Sequence, residues 1–365
     1  MVLAVLSNIY KHTRKSYQRV ASQLQIPEYF SGKNQRIVDK IVNIETETIN
    51  TFTIFRIGES AHLKNIPILL RGKTEYIHTL QTTGENKNDD LVLVHGYGVG
   101  LMNFYKMLGT LSKQYKIWSI DLIGMGASSR PDFNLKTTED TIDYFVESIE
   151  EWRKSVGLES FYMSGHSFGG YMVTWYALKY PHRVKKMMLL SPAGISRIDK
   201  SFLDQRTLAQ YTWWRRQLMK YLIRRWNNGG LTPRDFMSAL WFWRDRLLKN
   251  YLKRTHLKDR EMELAVDYMK NILTLPASTQ RSLHLILGFP GGCGVKPLED
   301  HLRKLESPLD IYYGEYDWMN SSGALRASKR GDFRGKVHII PHAGHVMSFD
   351  NPEYVANLMN RNKHN

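Results

Sequence analysis

The chain has 365 residues, 42% of them hydrophobic, with a formal net charge of +16 and a single cysteine, Cys293. That length and apolar fraction suffice for a large buried core, and one cysteine excludes an intrachain disulfide framework. No apolar run approaches a membrane span, and the opening Met1-Val2-Leu3-Ala4-Val5-Leu6 is too short for a secretory core, so secretion is not expected.

The first 49 residues form a basic segment. No acid precedes Glu28, whereas Lys11, Arg14, Lys15 and Arg19 are cationic. Leu6, Tyr10, Tyr17, Val20 and Leu24 recur at helical spacing, with Thr13 completing the stripe. A basic amphipathic helix of this kind is compatible with a mitochondrial transit peptide, a membrane-surface anchor, or a helix packed on the domain.

From residue 50 the pattern becomes that of a first core segment, 50–196. Strands are expected near 50–56 and 75–82, followed by a polar turn at 86–90. The apolar run Leu91-Val92-Leu93-Val94 opens into His95-Gly96-Tyr97-Gly98-Val99-Gly100. The glycine spacing is wrong for a dinucleotide fingerprint, and no P-loop lysine follows. A strand ending in His-Gly-x-Gly instead suits an oxyanion loop, with the Tyr97 backbone N–H as one donor. Lys116-Ile117-Trp118-Ser119-Ile120 is the next strand, running into Asp121-Leu122-Ile123-Gly124-Met125-Gly126. Residues 137–156 read as an amphipathic helix.

Phe161-Tyr162-Met163 then leads to Gly165-His166-Ser167-Phe168-Gly169, and a helical pattern follows. Strand, Gly-x-Ser-x-Gly, helix is the context of a nucleophile elbow. Ser167 is the expected nucleophile, and the Phe168 backbone N–H the second oxyanion donor. A serine needs a base and an orienting acid, in the order serine, acid, histidine, each after a later strand. Residues 309–313 form such a strand before Gly314-Glu315-Tyr316-Asp317-Trp318, and 337–340 another before Pro341-His342-Ala343-Gly344-His345. Asp317 and His345 are the expected partners. Glu315 and His342 are the rivals, and His338 lies within the strand pattern.

Between the two core parts, 197–300 reads as a helical insertion of the lid type, and 301–365 as the second core part. Residues 197–260 carry sixteen Lys and Arg against five Asp, a net of +11, together with Trp213, Trp214, Trp226, Trp241 and Trp243. Basic residues interleaved with aromatics suit an anionic membrane or lipid-droplet surface. A solvated basic face over an aromatic core is the plainer alternative. Nothing resembles a nucleic-acid recognition module. No metal-ligand cluster is visible in the sequence, and the chemistry calls for no cofactor. Alternating strands and helices imply an α/β fold: a mostly parallel sheet, helices on both faces and the inserted helical lid.

Together, the His95, Asp121, Ser167 and Asp317 motifs resemble the α/β-hydrolase fold from about residue 50 onward. More narrowly they resemble the branch of cardiolipin-specific deacylase, N-acyl phosphatidylethanolamine lysophospholipase and the lipid-droplet lipase coactivator. That resemblance implies a serine hydrolase of (lyso)phospholipid acyl esters, intracellular and peripheral on mitochondrial, lipid-droplet or endoplasmic-reticulum membranes. His345-Val346-Met347-Ser348-Phe349-Asp350 matches the His-x4-Asp pattern that the branch associates with acyl transfer to lysophosphatidic acid. A second reading makes Asp350 a cap of the following helix, which Pro352 would open. The coactivator lacks a serine nucleophile, so Ser167 argues for an active enzyme, while a non-catalytic lipid-surface adaptor that recruits a separate lipase stays an alternative. A soluble small-ester hydrolase or proline-releasing peptidase shares the elbow and triad and stays an alternative.

Overall fold

The computed structural model describes residues 32–83, 89–197, 212–229, 232–240, 242–253, 255, 257, 259–288 and 292–364. The basic stripe from Leu6 to Leu24 lies outside them. Eight strands form one sheet: β1 (Ala61–Leu70), β2 (Lys73–Thr82), β3 (Asp90–Val94), β4 (Lys116–Ile120), β5 (Phe161–His166), β6 (Val184–Leu190), β7 (Leu309–Gly314) and β8 (Val337–Ile340). The helices used below are α1 (Lys33–Phe52), α2 (Thr138–Val156), α3 (Phe168–Lys179), α4 (Trp213–Asn227), α5 (Pro233–Ala239), α6 (Arg244–Leu252), α7 (Asp259–Thr274), α8 (Ser322–Lys329) and α9 (Pro352–Arg361).

The strand order is β1-β2-β4-β3-β5-β6-β7-β8. β1 and β2 pair antiparallel, as do β2 and β4, while every pairing from β4 to β8 is parallel. The order reverses at β3, which has β4 on one side and β5 on the other. A crevice opens beyond the carboxyl ends of strands at such a switch point. The loop after β3 and the elbow after β5 flank it.

Strand residues alternate between two cores. Val92, Val94 and Met163 pack with Trp152, Tyr171 and Tyr176 on one face. Leu91, Leu93 and Tyr162 pack with Ile41, Phe104 and Val355 on the other. Helix α2 covers the first face for reasons readable locally. Thr137 caps its start by accepting from Asp140 N at 3.1 Å, and Gly157 closes its end at a left-handed φ of 73°. Acids occupy its first turn and Arg153 and Lys154 its last, complementing the helix dipole.

The expected strand near 50–56 does not form. Residues up to Phe52 finish α1, whose Ile37, Val38, Ile41, Val42 and Ile49 are buried. The β-branched, aromatic composition of Thr51-Phe52-Thr53-Ile54-Phe55 mimics a strand, but packing of the preceding helix decides the outcome. The strand lies later, as β1, against β2 along its full length. Pro67 within β1 is tolerated because β1 is an edge strand.

Helices α4 to α7 lie in the connection between β6 and β7. Trp213, Trp214, Phe242 and Trp243 are each more than half exposed there, whereas Trp226 is buried and donates to Leu287 O at 2.9 Å. Arg215 stacks over Trp214 and Arg246 over Trp243. Trp241 lies outside the described residues. Among the described residues, no helix is long and apolar enough to cross a membrane.

Trp152 ties α2 to the sheet, fully buried, edge-on to Trp118 and donating from Nε1 to Thr79 Oγ1 at 3.0 Å. Trp152→Ala is expected to cost about 3–5 kcal/mol of stability in urea denaturation. A loss below about 1 kcal/mol would show that the first-face core closes without it.

Candidate active site

The turn after β5 holds Ser167 at φ 53° and ψ −117°, a backbone conformation strained for a residue with a Cβ. Its glycines permit that turn to seat. A Cβ on Gly165 would meet Gly169 C at 2.7 Å, and one on Gly169 would meet Val94 O and His95 O at 2.4 Å. Both clashes are with backbone, so neither position accepts a side chain. Strain and close approach together put the Ser167 hydroxyl at the head of α3, which begins at Phe168.

His345 Nε2 is 3.1 Å from Ser167 Oγ, and His345 Nδ1 is 3.0 Å from Asp317 Oδ1. The three residues come from the ends of β5, β7 and β8, 178 positions apart between serine and histidine. Burial pushes the Asp317 carboxyl upward, but the hydrogen bond and charge of His345 outweigh it and hold the group below its ordinary range. Asp317 therefore stays ionised, and Met319 N donates to the same Oδ1 at 2.9 Å. An ionised acid on Nδ1 leaves Nε2 to accept the serine proton, so the arrangement can generate an alkoxide-like nucleophile.

The rivals point elsewhere. Glu315 accepts from the exposed His342 backbone N–H at 3.0 Å, and His338 stacks on Tyr312 near Asp310. None of these three contacts the serine.

The loop after β3 packs directly on the elbow. A Cβ on Gly96 would lie 2.9 Å from His166 Nδ1 and 3.1 Å from Ser167 Cβ. Phe168 is the first residue of α3, so its N–H has no intrahelical partner. Tyr97 and Phe168 line the same cavity as Ser167. His95 fixes the loop: Leu122 N donates to its Nε2 at 3.0 Å, so the ring proton sits on Nδ1 and goes to Gly96 O at 2.6 Å. Burial lowers its pKa to about 4, keeping the ring neutral.

Asp350 does not cap α9. The N-cap position belongs to Asn351, which makes no side-chain cap bond. Asp350 Oδ2 instead accepts from Gly344 N at 2.8 Å, reaching back to the residue before His345. A short helical turn, Met347–Asp350, swings the carboxylate away from the start of α9.

Three contributions escape a motif reading. His166 Nε2 donates to His345 O at 2.9 Å and so holds the histidine loop from the neighbouring strand; burial, then the His345 charge, lowers its pKa to about 3. Trp318 is 62% exposed with its ring 4.8 Å from the His345 ring, and it flanks the imidazole at the cavity wall. Glu45, His78 and Asp121 form a buried cluster with ligand atoms within 4.8 Å of one another. Its oxygens are engaged internally: Glu45 by His78 and Tyr268, Asp121 by the N–H groups of Leu101 and Ala127. That saturation suits a structural network rather than a cation.

The cavity holds about 340 Å³ and runs between the sheet, α1 and the helical insertion. Its walls are mostly apolar, among them Phe168, Trp226, Leu283, Met102, Leu264 and Phe349. A long, apolar group attached to a carbonyl fits such a space.

A sequence profile of the alpha/beta hydrolase fold matches residues 90–352. The chain is 34% identical over 285 residues to a "Probable 1-acylglycerol-3-phosphate O-acyltransferase" of Oryza sativa subsp. japonica, covering 76% of this chain and 67% of that one. It is 28% identical over 273 residues to the "(Lyso)-N-acylphosphatidylethanolamine lipase" of Homo sapiens, covering 73% and 77%. Among solved structures, naproxen esterase from Bacillus subtilis superposes with a TM-score of 0.60 at 19% identity, over 92% of this chain and all of that one. That likeness speaks to fold.

Asp350→Ala removes the acceptor of the Gly344 N–H and is expected to cost about 1–2 kcal/mol in thermal unfolding. Asp350→Asn keeps an acceptor oxygen and should lose less. Equal losses would mean that the carboxylate charge, not the bond to Gly344, is what matters.

Proposed function

The chain belongs to the α/β-hydrolase fold family, in the branch of the lysophosphatidic acid acyltransferase-like and N-acylphosphatidylethanolamine lipase-like hydrolases, and from that premise we propose that it is a serine hydrolase of (lyso)phospholipid acyl esters. The observation that carries the reading is the Ser167–His345–Asp317 relay opening into an apolar cavity of about 340 Å³. Ser167 attacks the ester carbonyl while His345 Nε2 takes its proton. Asp317 holds the Nδ1–H tautomer and stabilises the imidazolium. The Tyr97 and Phe168 N–H groups receive the oxyanion, each worth about 3 kcal/mol in the transition state. His345 then protonates the leaving alcohol, and the cavity retains the acyl chain on Ser167.

Two acceptors can resolve that acyl-enzyme: water, giving hydrolysis, or a lysophosphatidic acid hydroxyl, giving transfer. The rice relative's name favours transfer and the human relative's name favours hydrolysis. Asp350 bears on the balance through Gly344, by setting the loop that carries the base. Access from a bilayer would use the basic, aromatic face of the insertion, where Trp213, Trp214 and Trp243 are exposed beside Arg215 and Arg246.

Ser167→Ala should abolish turnover of long-chain esters with the fold intact. His345→Ala and Asp317→Asn should each reduce it by orders of magnitude, without adding when combined. Undiminished turnover in Ser167→Ala would reject the mechanism. Liposome flotation checks the surface reading. Changing Arg215, Arg216, Arg224 and Arg225 to glutamine should weaken binding to anionic vesicles by about 1 kcal/mol per residue, with added salt screening the effect. Binding indifferent to salt and to these arginines would reduce the face to ordinary solvated charge.

A further inference from the structure

Asn103 leaves a buried polar atom open on the cavity wall. Asn103 is 4% exposed, lines the cavity, and its Nδ2 has no hydrogen-bond partner among the described residues. It sits in the helical turn Leu101–Met107 that follows the oxyanion loop, among Leu101, Met102 and Phe104. A buried amide donor in an apolar wall is destabilising unless something meets it. Two other cavity residues carry unmatched polar atoms, and both are occupied by packing. His166 Nδ1 is covered by Gly96, and the Tyr97 hydroxyl lies beside Thr232 and Arg234.

The walls also differ in kind. Phe168, Trp226, Leu283, Leu287 and Met319 belong to the first-face core, against which Tyr97 also packs, and the Trp226 indole N–H is taken up by Leu287 O. Met102, Tyr105 and Tyr268 belong to the second-face core, and there the cavity also meets Asn103, Thr48 and Glu261. Ser167 stands between the two faces, at the end of β5. An ester bound at Ser167 has an acyl half and an alcohol half. The acyl half offers one hydrogen-bonding atom, its carbonyl oxygen, which the Tyr97 and Phe168 N–H groups receive. Of the atoms of a bound ester, the oxygens of the alcohol half are those left to meet the Asn103 amide.

A neutral oxygen suits this wall better than a charged one. The nearby cation on the same turn, Lys106, is 3.2 Å from Glu261, whose carboxylate also accepts from Tyr105 Oη at 2.6 Å. With Lys106 neutralised, a phosphate pushed against this wall would lack a counter-charge. A free hydroxyl meets the amide without that cost.

We propose that Asn103 is a substrate-positioning residue whose side-chain amide donates to the free glyceryl hydroxyl of a monoacylated lipid. The proposal rests on Ser167 as nucleophile and deepens it: the apolar wall receives the acyl chain, and the Asn103 wall receives the glycerol of a lyso rather than a diacyl species. The charged headgroup stays toward solvent, on the side of the exposed Trp318.

The test uses two lipids that differ by one oxygen, 1-palmitoyl-glycero-3-phosphocholine and its 2-deoxy analogue. In the full chain, kcat/KM should favour the hydroxylated lipid by about fivefold to tenfold, the value of one neutral hydrogen bond. In Asn103→Leu and Asn103→Ala that ratio should fall to about one, and Asn103→Gln should restore part of it. A merely structural role would lower turnover of both lipids and leave the ratio intact. A ratio near one in the unaltered chain, or one unchanged by either variant, overturns the proposal. A second arm measures binding of the same two lipids to Ser167→Ala, and to Ser167→Ala carrying Asn103→Leu, by quenching of the cavity tryptophans Trp226 and Trp318. If the unaltered chain hydrolyses neither lipid, the hydrolase reading fails, yet the ratio of Kd values still decides Asn103. If hydrolysis proceeds and the Kd ratio is near one, Asn103 fails and the hydrolase reading stands.

Discussion

The site depends on one backbone conformation. Ser167 is held at φ 53°, where a Cβ costs of order 1–3 kcal/mol, and the surrounding packing must over-determine it. Three close approaches do so: Gly165 against Gly169, Gly169 against the carbonyls of Val94 and His95, and Gly96 against Ser167 itself. The same contacts fix the distance between the elbow and the loop after β3. Ser167 and the two loops are thus parts of one packed unit, which is what preorganisation of the proposed nucleophile and oxyanion donors requires. His166, in that turn, extends the unit to the His345 loop through its bond to the His345 carbonyl.

Much of this was legible in the chain. β4 stands at Lys116–Ile120 as read, and α2 begins and ends at its Thr137 cap and Gly157 stop. Both elements are strongly periodic and bounded by residues with local meaning. The fold class followed from such elements in alternation, and the family profile over 90–352 agrees with it. Failures had physical causes. Residues 50–56 have strand composition but close a helix, because the apolar stripe from Ile37 to Ile49 needed the second-face core. β1 is not legible as a strand because His62, Lys64, Asn65 and Pro67 break its apolar alternation, as an edge strand allows. The roles of His166 and Asp350 rest on geometry between loops, which no local pattern encodes. Asn103 is legible only once a cavity surrounds it.

A buried polar network joins regions distant in sequence. His78 on β2 donates to Glu45 on α1 at 2.8 Å and to Asn65 on β1 at 2.7 Å, and Tyr268 on α7 donates to Glu45 at 3.0 Å. Burial opposes charge on His78, but the charge and hydrogen bond of Glu45 prevail and raise its pKa. Both ring nitrogens of His78 face acceptor oxygens, an arrangement that favours the charged ring. Asp121 lies beside it, raised to about 7 by burial and by Glu45, and binds the N–H groups of Leu101 and Ala127. The turn carrying Asn103 therefore starts from a residue pinned by this cluster. Arg260 adds an outer tie from α7 to Glu47 on α1. The helical insertion and the N-terminal helix close over the cavity as walls anchored to the sheet.

The central claim is that Ser167 carries the acyl group. Rapid quenching of the full chain with a long-chain phospholipid or lysophospholipid donor, followed by proteolysis and mass spectrometry, tests it most directly. The expected result is an acyl mass increment on the peptide containing Ser167, absent from Ser167→Ala. An increment on another residue, or steady product formation with none on the Ser167 peptide under conditions that trap acyl-enzymes, would contradict it.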